Sequence, residues 1–214
     1  MNPVQVIDEI ILYRLGEVNA LTHALNLCKV FYNPKTIEIY FDNKLTIVGN
    51  STAYTNPVIE SGLIHCRALL EFLGLRLTRN RLSNRGQRKL DDVGIEHYFD
   101  TKGLPLKQLS PDLALAIYLG QREDAEKALV SVFSTANKGL AHITSTLTTA
   151  ELSLLELASR GVESLIISHL YTPMGFVVPD YKIVQEKLNK DSAGLNSSLS
   201  RDMRVTFFCL AKRK

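Results

Sequence analysis

Apolar residues recur at three- and four-residue steps over several long stretches of the chain, the spacing that places them on one face of a helix. These stretches are residues 4–27, 57–73, 122–146 and 149–171, and a shorter one begins at Ser110 and ends near Gly120. Short connections between long amphipathic helices favour an antiparallel bundle. The predicted fold is therefore mainly α, an antiparallel helical bundle in which five helices dominate.

Residues 36–49 change to a different period. TIEIYF partly alternates between apolar and polar positions, Asp42, Asn43 and Lys44 offer a turn, and LTIVG follows. The β-branched content and the turn residues predict a short β-hairpin. Because an isolated hairpin is unstable in water, it must lie on the helices or on a partner. Near the end of the chain, MRVTFFCLA predicts a C-terminal strand.

The start and end of the second long helix carry their own signals. Asn56 can cap a helix, and Pro57 suits the first helical position. Gly74 stands where a C-terminal stop is expected. We therefore predict a helix from Pro57 to about Leu73.

The chain has 214 residues, of which 45% are hydrophobic and 22% charged. This suits one domain, with a helical core over residues 4–171, the hairpin at 36–49 and a C-terminal appendage over 172–214. Cys28, Cys66 and Cys209 are far apart and form no CxxC pair, so no zinc or disulfide framework is predicted. Cysteines used in this way fit a reducing cytosol.

The N-terminus indicates an intracellular protein. Asp8 and Glu9 come before any long apolar run, which is not the pattern of a signal peptide. No stretch approaches 18 uncharged apolar residues, so no membrane span is predicted. We expect a soluble cytoplasmic protein. Its net charge of +3 is too small to imply nucleic-acid binding by itself.

Charge is concentrated in RLTRNRLSNRGQRK, residues 76–89. Six of these fourteen residues are basic and none is acidic. Asn84, Gly86 and the serine and threonine residues predict a loop. That loop is either a solvated surface or a phosphate-contacting patch, with Arg79, Arg81 and Arg85 as its candidate ligands. The absence of an aromatic residue argues against base stacking.

Polar residues flank the apolar stripes of two helices. His65 lies at the edge of one stripe, either as a satisfied core residue or as a functional one, and Arg67 lies on the opposite face. In the helix of residues 122–146, Lys138 and His142 are four apart and off the stripe, and Asn137 lies on the other flank. We predict that Arg67 and His142 face one pocket, with Lys138 and Asn137 at its rim.

Asp92 and His97 follow in KLDDVGIEHYFD, where carboxylates and a histidine could hold a divalent metal. The paired Glu-x-x-His spacing of di-iron bundles is absent, so no metal site is predicted. The patterns of serine hydrolases, P-loop proteins, dinucleotide-binding proteins and zinc proteases are absent too, and no cofactor is predicted. Whether the chain is an enzyme stays open.

Three segments stand in order: ESGLIHCRALLEFL at 60–73, DDVGIEHYF at 91–99 and NKGLAHIT at 137–144. Together they resemble a family of bacterial helical proteins of unknown function. NKGLAH is also similar, more distantly, to the RNxxxH-like helix of HEPN domains, helical bundles of which many dimerise and some cut RNA.

The HEPN resemblance implies a homodimer that binds RNA or a nucleotide phosphate. His142 and His65 would then move a proton. In active HEPN members an arginine precedes the histidine by five or six positions, where this chain has Asn137 and Ala136. Arg67 would take the place of that arginine and hold the phosphate.

Two other functions are open on the sequence. One is a non-enzymatic dimerisation or partner-binding module, in which the polar residues hold the core together. The other is a metal-dependent or phosphoryl-substrate enzyme that uses Asp92, His97 and His142.

Overall fold

A computed structural model of the protein describes residues 5–30, 36–118, 120–140 and 152–178. Its five α-helices are α1 (Leu12–Val30), α2 (Thr52–Phe72), α3 (Pro111–Ala116), α4 (Arg122–Ser134) and α5 (Leu152–Ile166). π-Helical segments precede α1 (Val6–Ile11) and follow α4 (Thr135–Leu140) and α5 (Ile167–Tyr171), and a 3₁₀ turn spans Ile95–His97. Two antiparallel hairpins complete the described part: β1 (Thr36–Phe41) with β2 (Lys44–Asn50), and β3 (Leu75–Thr78) with β4 (Arg81–Asn84). The prediction of a mainly α fold with a small hairpin is confirmed. The predicted C-terminal strand lies outside the described residues.

The helices pack around one apolar core. Contacts between α1 and α2 run in opposite chain directions, since Arg14 meets His65 and Glu17 meets Ser61. The apolar stripes predicted for the four longer helices are buried in this core. Their fully enclosed side chains include Leu15, Val18, Leu21, Leu63, Cys66, Leu69, Leu70, Leu129, Val132, Phe133, Val162 and Leu165. No helix in the described ranges is long and apolar enough to cross a membrane.

The predicted start of α2 at Pro57 was wrong. The helix begins at Thr52, immediately after β2, and Pro57 lies inside it. The Asn50 side chain accepts a hydrogen bond from the Thr52 backbone N–H at 3.0 Å, so a residue at the end of the strand satisfies a donor of the first turn. Asn56, the predicted cap, is instead one turn inside the helix.

The prediction of a loop over residues 76–89 was also wrong for its first half. Residues 75–84 form the β3–β4 hairpin, in which Leu77 is paired with Leu82. Arg79 and Asn80 both have positive φ, 50° and 60°, as a two-residue turn of type I′ requires. Burial of Leu75 and Leu82 fixes this hairpin on the helical core, a tertiary effect that the local loop-like composition does not reveal.

Two other predicted elements are present in the structure, the hairpin at 36–49 and the short helix that begins after Ser110. The hairpin predicted at 36–49 is present, with Asp42 and Asn43 in its turn. Helix α3 begins as predicted, where the Ser110 hydroxyl accepts a hydrogen bond from Leu113 N–H, but it ends at Ala116 rather than near Gly120.

Candidate functional site

The outer face of the β3–β4 hairpin carries arginine and hydroxyl side chains together. Alternation along the strands turns Leu75, Leu77 and Leu82 toward the core, so the residues between them face outward. These outward residues, which we call the basic hairpin face, are Arg76, Thr78, Arg81 and Ser83, with Arg79 at the turn. The hydroxyls of Ser83 and Thr78 lie 2.8 Å apart, within hydrogen-bond distance. The face contains three cations and no carboxylate.

The charges of this face are not neutralised by the described part of the protein. Arg76, Arg79 and Arg81 are all exposed. None of them forms an ion pair or a side-chain hydrogen bond with another described residue. Their guanidinium groups therefore remain available to an anion from outside.

Arg85, the third arginine predicted as a phosphate ligand, has a different environment. Its two terminal nitrogens each lie 2.7 Å from a carboxylate oxygen, one on Glu71 and one on Asp92. Glu71 also accepts a hydrogen bond from the Arg67 Nε at 3.0 Å. The structure thus links Arg67, Glu71, Arg85 and Asp92, in that order, by ion pairs. The Arg85 hydrogen bond lowers the pKa of the Asp92 carboxyl, and the paired charges make this group an anchor for the hairpin.

A second anchor, which the sequence did not reveal, is built on Arg88. Its side chain is only 7% exposed and forms two hydrogen bonds with Glu96, at 2.6 and 3.1 Å. It also donates to the backbone carbonyls of Glu71 and Phe72 at the end of α2, at 2.9 and 2.7 Å. A Cβ on Gly94 would lie 2.0 Å from the Arg88 Nε, so only glycine lets this guanidinium pack against the backbone.

Glu96 is the carboxylate partner of Arg88 in this second anchor. It also accepts a hydrogen bond from Gln108 at 2.6 Å. Burial by itself raises the pKa of the Glu96 carboxyl, but the bonds from Arg88 and Gln108 outweigh burial and leave the pKa lowered. Glu96 is therefore held ionised against the buried arginine.

His65 contacts two residues of α1, Tyr13 and Arg14. Its Nδ1 lies 3.0 Å from the Arg14 Nη1, and the Tyr13 ring meets it edge-on with centroids 5.2 Å apart. Arg67 is two positions further along α2, about 200° around the helix, and pairs with Glu71 instead. Arg14 was not predicted as a site residue, because it is 51 positions from His65. The sequence feature that could have indicated this contact is the position of Arg14 and Glu17, three residues apart and beside the apolar stripe of α1 that faces α2.

The second helix of the predicted site, over residues 122–146, is only partly described. His142 lies outside the described residues, as does the predicted pocket that it would share with Arg67. Asn137 is half-buried in the π-helical segment that continues α4. Of Lys138 only the backbone, in the same segment, is described.

Asp92 and His97 contact different residues, and these contacts do not place them around one metal ion. Asp92 is held by Arg85, whereas the exposed His97 accepts a hydrogen bond from the Gly94 N–H at 3.1 Å through its Nδ1. Within the described ranges, no group of three histidine, cysteine, aspartate or glutamate side chains is arranged to hold a metal ion.

A cleft of about 390 Å³ lies where α3, α4 and α5 meet. Ile117, Tyr118 and Leu157 contribute to its walls, which are mainly apolar. Its charged residues, Asp124 and Arg160, are paired with Lys127 and Glu156 of their own helices. Because both charged residues of the cleft are already paired, the basic hairpin face is the more suitable surface for a charged ligand. No protein family, curated protein or solved structure matches this chain.

Proposed function

We propose that the chain binds RNA through the phosphates of its backbone, using the basic hairpin face. The observation that carries the proposal is a face with three exposed arginines, two hydroxyls and no carboxylate. Guanidinium groups match phosphate oxygens in a bidentate geometry, and serine and threonine hydroxyls also contact phosphates. The chemistry of this face therefore suits a phosphodiester backbone.

The spacing of the arginines favours a polymer over a single nucleotide. Ser83 is the cross-strand partner of Arg76, and Arg81 is two residues before Ser83, so the two arginines are diagonal neighbours. Such neighbours are about 7–8 Å apart. Two guanidiniums at that separation can contact two phosphate groups of one strand at once.

The rigidity of the hairpin supports the same function. Leu75 and Leu82 hold its inner face on the core, and Arg85 and Arg88 tie the chain after β4 to α2. A face held in this way loses little conformational freedom on binding. Because it lacks aromatic residues, the binding should be independent of sequence and sensitive to salt.

The resemblance to HEPN domains agrees with an RNA ligand and stays a prediction. Under that resemblance His142 would move the proton of a ribose hydroxyl. In the structure His65 contacts Arg14, whereas Arg67 contacts Glu71. A reaction in which His65 and Arg67 act on one phosphate therefore needs a different arrangement of their side chains. Binding by the basic hairpin face does not depend on that chemistry.

The binding proposal is tested by fluorescence anisotropy with a labelled single-stranded RNA at fixed low salt. The double variant R76Q/R81Q should bind at least about tenfold more weakly, since it loses two charged hydrogen-bonding groups. The control R122Q/K127Q removes the same net charge from exposed residues of α4 that are already paired with acids. It should bind within about twofold of the unaltered protein. Equal losses in the two variants would show that only net charge matters, and no binding by the unaltered protein would refute the proposal.

A second function, assembly through the β1–β2 hairpin, has its own supporting observation. Phe41, Leu45, Ile47 and Val48 are between 44% and 61% exposed, although all four are large apolar residues. Both strands are edges of a two-stranded sheet, and exposed edges pair readily with another chain. We propose that two copies join through β2, whose only charge is Lys44 at its end, rather than through β1, where Glu38 lies near the middle.

Light scattering at micromolar concentration tests this assembly. The protein should have the mass of a dimer, and Ile47→Lys should reduce it to a monomer, because a charge in the middle of the joined edge cannot be buried unpaired. Lys44→Gln, at the end of the same strand, should leave the dimer intact. A monomeric unaltered protein, or a dimer that survives Ile47→Lys, would refute assembly through β2.

A further inference from the structure

Four polar side chains meet in the seam between α1 and α2, away from the basic hairpin face. Arg14 and Glu17 come from α1, and Ser61 and His65 come from α2. The two helices approach closely here, since a Cβ on Gly62 would lie only 2.4 Å from the Leu21 Cβ. Arg14 and Glu17 are three residues apart and Ser61 and His65 are four apart, so each pair lies on one side of its own helix. The two pairs face each other across the seam.

Arg14 is a half-buried cation whose partner is an uncharged acceptor. Its Nη1 donates to the Nδ1 of His65 at 3.0 Å, which requires that nitrogen to carry no proton. The neutral imidazole then carries its proton on Nε2. Within the described residues this is the one hydrogen bond of the Arg14 side chain. A guanidinium has five N–H donors, so most of them remain unused.

The nearby carboxylate is directed to the other partner in the seam. Glu17 Oε2 accepts a hydrogen bond from the Ser61 hydroxyl at 3.2 Å. Burial and the positive charge of Arg14 lower the pKa of His65, and Glu17 opposes them only in part. The site therefore holds a charged guanidinium beside a neutral histidine that can gain a proton, an arrangement suited to an oxyanion.

We propose that the Arg14–His65 seam binds a phosphate group, either free phosphate or the terminal phosphate of an RNA strand. Arg14 supplies two parallel N–H donors to the phosphate oxygens. When His65 gains a proton on Nδ1, its hydrogen bond with Arg14 breaks, and the new N–H becomes a further donor to the phosphate. The bound anion favours this protonated form. This site is separate from the basic hairpin face, and its phosphate binding does not depend on RNA binding there.

The test is an NMR titration of protein with ¹⁵N-labelled histidine rings, using inorganic phosphate at constant ionic strength. The signals of His65 should shift to saturation, and its apparent pKa should rise as phosphate is added. His97 is exposed, and its Nδ1 accepts a hydrogen bond from the Gly94 N–H, so the signals of His97 should not change when phosphate is added. An Arg14→Gln variant should bind phosphate at least about tenfold more weakly. A control variant, Arg160→Gln, loses an exposed arginine paired with Glu156 and should titrate like the unaltered protein.

The source of the phosphate is tested with one RNA oligonucleotide carrying either a 5′-phosphate or a 5′-hydroxyl. A His65 shift with the phosphorylated strand alone would identify the RNA end as the ligand. A shift with inorganic phosphate and with neither strand would identify free phosphate. The double variant R76Q/R81Q should keep the His65 response, which separates this site from the proposed RNA-binding face. A His65 signal that does not move, or that moves equally in Arg14→Gln, would overturn the proposal.

Discussion

The two hairpins have the same turn and opposite surroundings. Each reverses through two residues with positive φ, Asp42 and Asn43 in one and Arg79 and Asn80 in the other. In β3–β4 the apolar residues face the core and the arginines face outward. In β1–β2 every residue from Lys44 to Val48 is exposed, including three large apolar ones.

The same turn geometry thus serves both hairpins, and the neighbours of each hairpin determine which surface it offers. β3 follows α2 after two residues, and the Arg85 N–H donates to the Gly74 carbonyl at 2.7 Å, so this hairpin is fixed at both ends. A charged outer face on a fixed hairpin suits a charged ligand. The exposed apolar residues of β1–β2 suit another protein surface instead.

The largest effect is expected from removing the anchor of the β3–β4 hairpin. Arg88→Ala removes the cation paired with Glu96 and a donor to the last carbonyls of α2, and losing one member of a buried ion pair costs about 3–5 kcal/mol. Urea denaturation measures this cost. Arg122→Ala, whose partner Asp112 is mostly exposed, should change stability by less than about 1 kcal/mol. Similar costs in the two variants would contradict an anchoring role for Arg88.

A smaller effect should distinguish the two hairpins from each other. Leu82 is 6% exposed and Ile47 is 49% exposed. Leu82→Ala should lower the free energy of unfolding by about 2–4 kcal/mol, because it leaves a cavity in the core. Ile47→Ala, measured at a concentration where the protein is monomeric, should cost less than about 1 kcal/mol. If Ile47→Ala were the more harmful change, the assignment of buried and exposed hairpins would be wrong.

The smallest effect concerns pH. The pKa of the Glu96 carboxyl is lowered in the folded protein, so its contribution to stability is present above the unfolded pKa of about 4.3 and is lost as pH falls through the folded value. Denaturation curves between pH 6 and pH 3 should therefore show a steeper loss of stability in the unaltered protein than in Glu96→Gln. Parallel curves would mean that Glu96 is not ionised against Arg88.

Much of the fold could be predicted because helical periodicity is a local property. The apolar stripes of α2 and α4 place Leu63, Leu69, Val132 and Phe133 in the core as expected. The β3–β4 hairpin could not be predicted from its own residues, because its turn begins with Arg79, a residue that rarely adopts positive φ. Its strands are fixed by burial against helices distant in the sequence.

The sequence could indicate the arginine-rich part of the candidate site, but it could not indicate which partners each arginine has. The density of arginine in residues 76–89 predicts either a solvated surface or a phosphate-contacting patch, and the exposure of Arg79 and Arg81 agrees with both. Arg85 has the same side chain but is paired with Glu71 and Asp92, which a count of charges cannot distinguish. The pairing of Arg14 with His65 depends on how two helices are aligned, and no local pattern determines that alignment.

The central claim, that the outward arginines of the β3–β4 hairpin contact RNA phosphates, is tested most directly by the salt dependence of binding. For single-stranded nucleic acid, the log–log slope of affinity against salt concentration changes by about 0.7 for each neutralised phosphate. The R76Q/R81Q variant should therefore give a slope less steep than that of the unaltered protein by about 1.4. The R122Q/K127Q control should keep the original slope. Identical slopes for the unaltered protein and R76Q/R81Q would contradict the account.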